Sequence, residues 1–360
     1  MTDEDDCGED IVRLIVDCDP GNGVPGSDVD DGLALAFAIA RPDRFRLEAI
    51  TVVAGNTAMP TGYRVARTFA DEFAPGVPVY PGAVAPLIEP AAPWRERQDS
   101  RERDPELIAR WRDVPAPTAY TPGPGERDAA SALIAAAAES PGEITIAAVG
   151  PLTNIAHALQ RRPEFAREVK RIVIMGGSFA VPNAPQEFNF GQDPEAASVV
   201  LSSGAPIVLV PLDVTIQTLL SYETLERWEG FGSRLSSYVS ATARPCIPIS
   251  AANWGVDGCL LHDPLALAWL ADASVGSMTR MVVDVALSGI ARSRPIGWSP
   301  DRPGLHVGID LPQHPPIDVM TSVDNDRLVA LLSDAYGSWD DPSRQAASVS
   351  TRQAGAGCVR

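Results

Sequence analysis

Apolar residues come in short, near-continuous runs at 11–17 (IVRLIVD), 45–55 (FRLEAITVVAG), 143–150 (EITIAAVG), 171–177 (RIVIMGG) and 205–213 (APIVLVPLD). Runs of this length, bounded by turn residues and lacking in/out alternation, predict strands buried on both faces. Between them stand DDGLALAFAIA, TGYRVARTFADEFA, ERDAASALIAAAAES, PLTNIAHALQRRP and DPEAASVVLSSG, whose spacing predicts helices. Strands alternating with helices give an α/β class: a single domain with a mostly parallel central β-sheet flanked by helices. The rhythm breaks from Ala83 to Gly125, where eight prolines surround a charged WRERQDSRERD, which predicts a structureless lid or surface excursion. From Ser221 to Ala271 the pattern is more helical, and strands are expected at 281–287, 305–311 and 316–320 before a final helix at 325–336. Residues 1–10 are acidic and 341–360 small and polar, so a folded body over 11–340 is expected between a disordered start and a flexible tail.

Charge narrows the partners. Lys+Arg of 29 against Asp+Glu of 47 gives a net charge of -18, which repels phosphate backbones and anionic lipid at long range, so neither nucleic acid nor membrane is an expected partner. Five cysteines, widely spaced and without a C-x-x-C pair, read as free thiols in a reducing compartment. The acidic start is unlike a secretory signal, and no apolar run nears the roughly 18 residues a membrane span requires; the expected location is cytoplasmic.

The chemistry concentrates after the first predicted strand. Asp17-Cys18-Asp19-Pro20-Gly21 ends that strand, and Asp28-Val29-Asp30-Asp31 opens the helix that follows. Ligands of open α/β sheets bind outside the carboxyl ends of the strands. Asp28 or Asp30 acting as a helix cap would account for one or two of these carboxylates. Four or five converging on one strand end repel one another unless a cation lies among them, and an all-oxygen donor set suits Ca2+ or Mg2+. An EF-hand loop from Asp28 fails, because Ile39 stands where its twelfth-position Glu is needed. A phosphohydrolase of the haloacid dehalogenase type, with Asp17 or Asp19 as nucleophile, stays open but has only Lys170 to hold phosphate.

Asp17-Cys18-Asp19-Pro20-Gly21 with Asp30-Asp31-Gly32 resembles the D-x-D-P-G-x-D-D signature of the inosine-uridine preferring nucleoside hydrolases, with residues 22–29 enlarging the loop between its halves. Further segments match in order: Val52-Val53-Ala54-Gly55-Asn56, Val149-Gly150-Pro151-Leu152-Thr153-Asn154, Met175-Gly176-Gly177, Asn183, Glu187-Phe188-Asn189, Asp193-Pro194-Glu195, and His262-Asp263-Pro264. The resemblance spans about residues 11–338 and implies a nucleoside hydrolase-like domain on a Rossmann-like open sheet, assembled as a homodimer or homotetramer.

It further implies a Ca2+-dependent ribonucleoside hydrolase acting on purine or pyrimidine nucleosides as its small-molecule partner, with free base and ribose as products. Such a reaction needs a water nucleophile, stabilisation of an oxocarbenium-like sugar and help for the departing base. By the resemblance, Asp19 is the general base and, with Asp31, Asp263 and the Val149 carbonyl, a metal ligand. Asp30, Asn56, Met175, Asn183, Glu187 and Asn189 contact the sugar, although Asn183 and Asn189 taken singly read as turn formers. His262 protonates or hydrogen-bonds the base. The flap after Ala83 contains no histidine, which leaves base recognition to other groups, with Trp94 and Trp254 as stacking candidates. The alternatives are the phosphohydrolase already named and a non-catalytic metal- and ribose-binding protein on the same fold.

Overall fold

The computed structural model describes residues 11–90, 92–120, 123, 125–301 and 311–339. Both expected frayed ends and most of the expected 305–311 strand lie outside these. Eleven strands occur among the described residues: β1 Val12–Cys18, β2 Phe45–Val52, β3 Val79–Pro81, β4 Ile144–Ala148, β5 Arg171–Met175, β6 Ile207–Val210, β7 Leu220–Ser221, β8 Gly258–Cys259, β9 Gly276–Val285, β10 Pro295–Trp298 and β11 Ile317–Val323. Nine form one sheet in the order β10-β9-β11-β6-β5-β4-β1-β2-β3, and β7 with β8 forms a small antiparallel pair. From β3 to β11 every ladder is parallel; only β9 with β11 and β10 with β9 run antiparallel.

Alternate residues of β1 feed the two faces. Leu14, Val16 and Cys18 join a core with Leu33, Phe37, Leu265 and Trp228, whereas Ile15 joins one with Ile146, Ile174, Leu133 and Ile155. Burial on both faces explains why these strands read as continuous apolar runs. The chain passes from β1 outward to β2 and β3, then returns to β4 on the other side of β1. The order therefore reverses between β1 and β4, and a crevice opens at such a point beyond the carboxyl ends of the strands.

Two helices frame that crevice. Asp30–Ala40 and His262–Ala271 are rich in alanine, nearly all of it buried, and pack against each other. Small side chains permit the close approach that sets Asp30 and Asp31 beside Asp263, all three in a first helical turn. The positive end of a helix dipole favours carboxylates there. Neither Asp28 nor Asp30 caps the first helix: Val29 holds the cap position without a side-chain bond, and the Asp28 carboxylate accepts the Val29 N–H at 2.8 Å.

The flap differs from the structureless excursion its prolines predict. It contains helices Ala92–Arg101 and Pro105–Arg110. The second starts at Pro105, where a missing N–H costs nothing, and is capped by Asp104. Buried Trp111 then ties the segment to the core. No helix among the described residues is long and apolar enough to cross a membrane. A second cleft, of about 590 Å³, lies at the opposite rim of the sheet, lined by Val12, Arg44, Lys170, Arg171, Trp269 and Arg327 among others.

Candidate active site

The carboxyl ends of β1, β2, β4 and β5 supply the floor of the crevice. Just past β1, Asp19 is buried and held by two hydrogen bonds. Its backbone N–H donates to Asp31 Oδ1 at 2.9 Å, its Oδ2 accepts the Asn56 N–H at 2.6 Å, and its Oδ1 is buried with no hydrogen-bond partner. Gly55 packs so close that a Cβ there would lie 1.7 Å from Asp19 Oδ2. Glycine at 55 is thus what lets the carboxylate sit where it does. Asn56 also donates through Nδ2 to Asp31 Oδ2 at 3.1 Å, and the Asp263 N–H reaches Asp30 Oδ2 at 3.2 Å.

Asp30, Asp31 and Asp263, all buried, offer oxygens within 4.8 Å of one another. Burial pushes all three carboxyls well up from their ordinary range, and neighbouring aspartates add to it. Asp19 is pushed up to about 7, again chiefly by burial and then by Asp30. Like charges this close cost of order 4 kcal/mol per pair at an effective dielectric constant near 20. A hard divalent cation offsets that repulsion, and the unpartnered Asp19 Oδ1 gives a further donor. The residues present fit such an ion. The trio with mutually close oxygens includes Asp30, which the resemblance gives to the sugar, while Asp19 joins through Asp31 and Asn56.

The cavity above this floor holds about 330 Å³ and is lined in part by Asp30, Asn56, Val149, Met175, Glu187, Asn189, His262 and Asp263. Asn189 Nδ2 donates to the carbonyls of Val149 at 2.7 Å and Met175 at 3.2 Å, bridging the ends of β4 and β5. Glu187 caps the short helix Phe188–Gln192: Oε1 accepts the Asn189 N–H, and Oε2 accepts those of Phe190 and Gly177. Burial still raises its carboxyl above the ordinary value. His262 Nδ1 lies 2.7 Å from Thr215 Oγ1, which fixes the ring, and burial lowers its pKa. Trp254 lines the cavity with its ring centroid 6.4 Å from that of His262.

Two expected contacts fall elsewhere. Asn183 is exposed, has φ 61 and is absent from the cavity lining, as a turn former would be. Trp94 packs under the Arg95 guanidinium, 5.2 Å from its ring centroid, and does not line the cavity. Asn154 from the G-P-L-T-N segment ties strands together, donating to Asp17 Oδ1 and the Val52 carbonyl and accepting from Ala83 N–H. Lining residues that the motifs did not indicate are Gln98 and Arg101 on the flap helix and Ser250 and Asn253 beside Trp254. For Gln98 and Arg101 the signal was helical spacing within the WRERQDSRERD stretch, where Arg95, Gln98 and Arg101 share one face. Lys170 lies in the opposite cleft, at the amino end of β5. A phosphohydrolase nucleophile near Asp19 would therefore lack its lysine.

The family model of the inosine-uridine preferring nucleoside hydrolases matches residues 14–330. The chain belongs to this family. The pyrimidine-specific ribonucleoside hydrolase RihA of Salmonella enteritidis is 34% identical over 282 residues, covering 77% of this chain and 85% of that protein. A plant nucleoside hydrolase, PpNRh1, superposes with a TM-score of 0.78 at 27% identity, covering 91% of this chain and 99% of that one. The purine-preferring ribonucleoside hydrolase from Gardnerella vaginalis gives 0.74 at 26% identity, with 94% and 99% coverage. This nucleoside hydrolase is accordingly an enzyme that cleaves N-glycosidic bonds of ribonucleosides, on the single α/β domain its sequence predicts.

Proposed function

We propose that the enzyme is a Ca2+-dependent ribonucleoside hydrolase that converts purine or pyrimidine ribonucleosides to free base and ribose. The observation that carries this is the buried trio Asp30, Asp31 and Asp263, with Asp19 hydrogen-bonded to Asp31 behind it, below a cavity that Asp30, Asp263 and Trp254 line. Side chains of Asp19, Asp31 and Asp263 and the Val149 carbonyl would hold the cation. Such an ion would supply Lewis-acid chemistry there, an affinity for vicinal hydroxyls and a lowered pKa for water. The Val149 carbonyl accepts one bond from Asn189 and keeps a second lone pair.

The protein supplies the rest. Asp19, kept in place by the Asn56 N–H, accepts the proton of the attacking water. Asp30, Asn56 and Asn189 bind ribose hydroxyls, which both donate and accept, and the Glu187 cap fixes the helix that carries Asn189. Met175 borders the sugar. His262, its Nδ1 engaged by Thr215, turns Nε2 toward the base.

The test is ribose release from a panel of purine and pyrimidine ribonucleosides, with and without calcium chelation, beside Asp19→Ala. Calcium-restored ribose release that the variant loses by about 10²-fold or more supports the reading. Calcium-dependent ribose binding without turnover of any nucleoside would instead make this a binding protein.

A further inference from the structure

Resting on the nucleosidase reading, we propose that Arg101 of the flap helix is a further catalytic residue, the cationic hydrogen-bond donor that takes up charge on the departing base.

The cavity has two chemically unlike ends. Its floor, built from strand ends and helix starts, is acidic and suits a sugar. Asp28, Asp30, Glu187 and Asp263 all line the cavity, and Arg101 is the one Arg or Lys among its described lining residues. Arg101 comes from the flap, together with Gln98 three residues earlier. A ribonucleoside seated by its sugar on the floor directs its base toward the flap and Trp254.

The flap helix is also held firmly enough to place such a group. Arg95 donates to the carbonyls of Gly55 at 2.5 Å and Asn56 at 3.3 Å, and pairs with Asp99 at 2.7 Å. It thus docks the helix on the same loop whose N–H holds Asp19. Residues 95, 98, 99 and 101 are half-buried, while 96, 97 and 100 are exposed, so one face of the helix is turned inward. Arg101 lies across Gly26, where φ is +73 and a Cβ would come within 2.9 Å of the Arg101 Cβ. The enlarged 22–29 loop therefore supports the arginine directly.

In the step proposed, the C1′–N bond breaks with its electron pair moving onto the base, the water oxygen bonds to C1′, and the water proton passes to Asp19. Negative charge spreads over the carbonyl oxygens and ring nitrogens of the base. Arg101 has only donors and stays protonated throughout, so it pairs with those acceptors more strongly as charge develops. The released base then takes a proton from solvent.

The experiment compares wild type, Arg101→Gln and Arg101→Lys on uridine, inosine and p-nitrophenyl β-D-ribofuranoside, whose phenolate leaves unaided. Arg101→Gln is expected to lower kcat for uridine and inosine about 10²-fold, to change kcat for the phenyl riboside less than about threefold, and to be partly rescued in Arg101→Lys. An equal fall on all three substrates, or no fall on any, overturns the role of Arg101 alone. A wild-type protein that releases ribose from none of them overturns the nucleosidase reading as well.

Discussion

Asp263 shows how the site uses burial. Its carboxyl is buried beside two others, and burial raises it well above the ordinary range. An ion that binds only the folded chain stabilises it by mass action. Adding calcium to chelator-stripped protein is expected to raise Tm by a few degrees, and Asp263→Asn to remove at least half of that gain; differential scanning calorimetry reads both. Much of this was legible from residue order alone, because aspartates at a strand end and a helix start must converge whatever the loop between them does. Asn183 and Trp94 were not, since an Asn in a turn and a Trp in a flap look alike in sequence whether they face a ligand or not. Glu187 was found through its neighbours, but its capping bonds to Gly177, Asn189 and Phe190 depend on a loop geometry that no spacing encodes.

At the scale of elements, the flap is where sequence and structure part. Its prolines hid two short helices because helix propensity there is weak and the stabilising contacts are tertiary: Arg95 on two carbonyls, Trp111 in the core. Gly26 sits under Leu107 and Arg101, with the former 2.6 Å from where a Cβ would be. Gly26→Val adds bulk and an unfavourable left-handed backbone, and is expected to lift both flap helices. Limited proteolysis should then cut within residues 92–111 at least tenfold faster than in wild type, while the far-UV spectrum stays close to native. The central strands, by contrast, could be read to within about three residues at each end, because burial on both faces leaves an unbroken apolar run; β3, β7 and β8 are too short to leave one.

For the whole molecule, acid sensitivity has an identifiable contributor far from the site. The Ser274 hydroxyl and N–H, with the Arg327 guanidinium, hold the Asp272 carboxyl down to about 2. A folded pKa below the unfolded one near 3.9 contributes stability above that value and loses it as pH falls toward 2. Asp272→Asn keeps an acceptor for the Ser274 N–H but loses the charge. Its urea midpoint is expected below that of wild type at pH 7, with the gap narrowing at pH 3 and below.

The parallel sheet also sorts the molecule into two ends. Every strand of the parallel run β11-β6-β5-β4-β1-β2-β3 points its carboxyl end toward the crevice, so Val12, where the described chain enters β1, lines the cleft on the far rim. A tether attached ahead of β1 leaves the protein with its mouth facing outward. An immobilised layer of this enzyme, bound through that end, would present its cavities to the flowing solution.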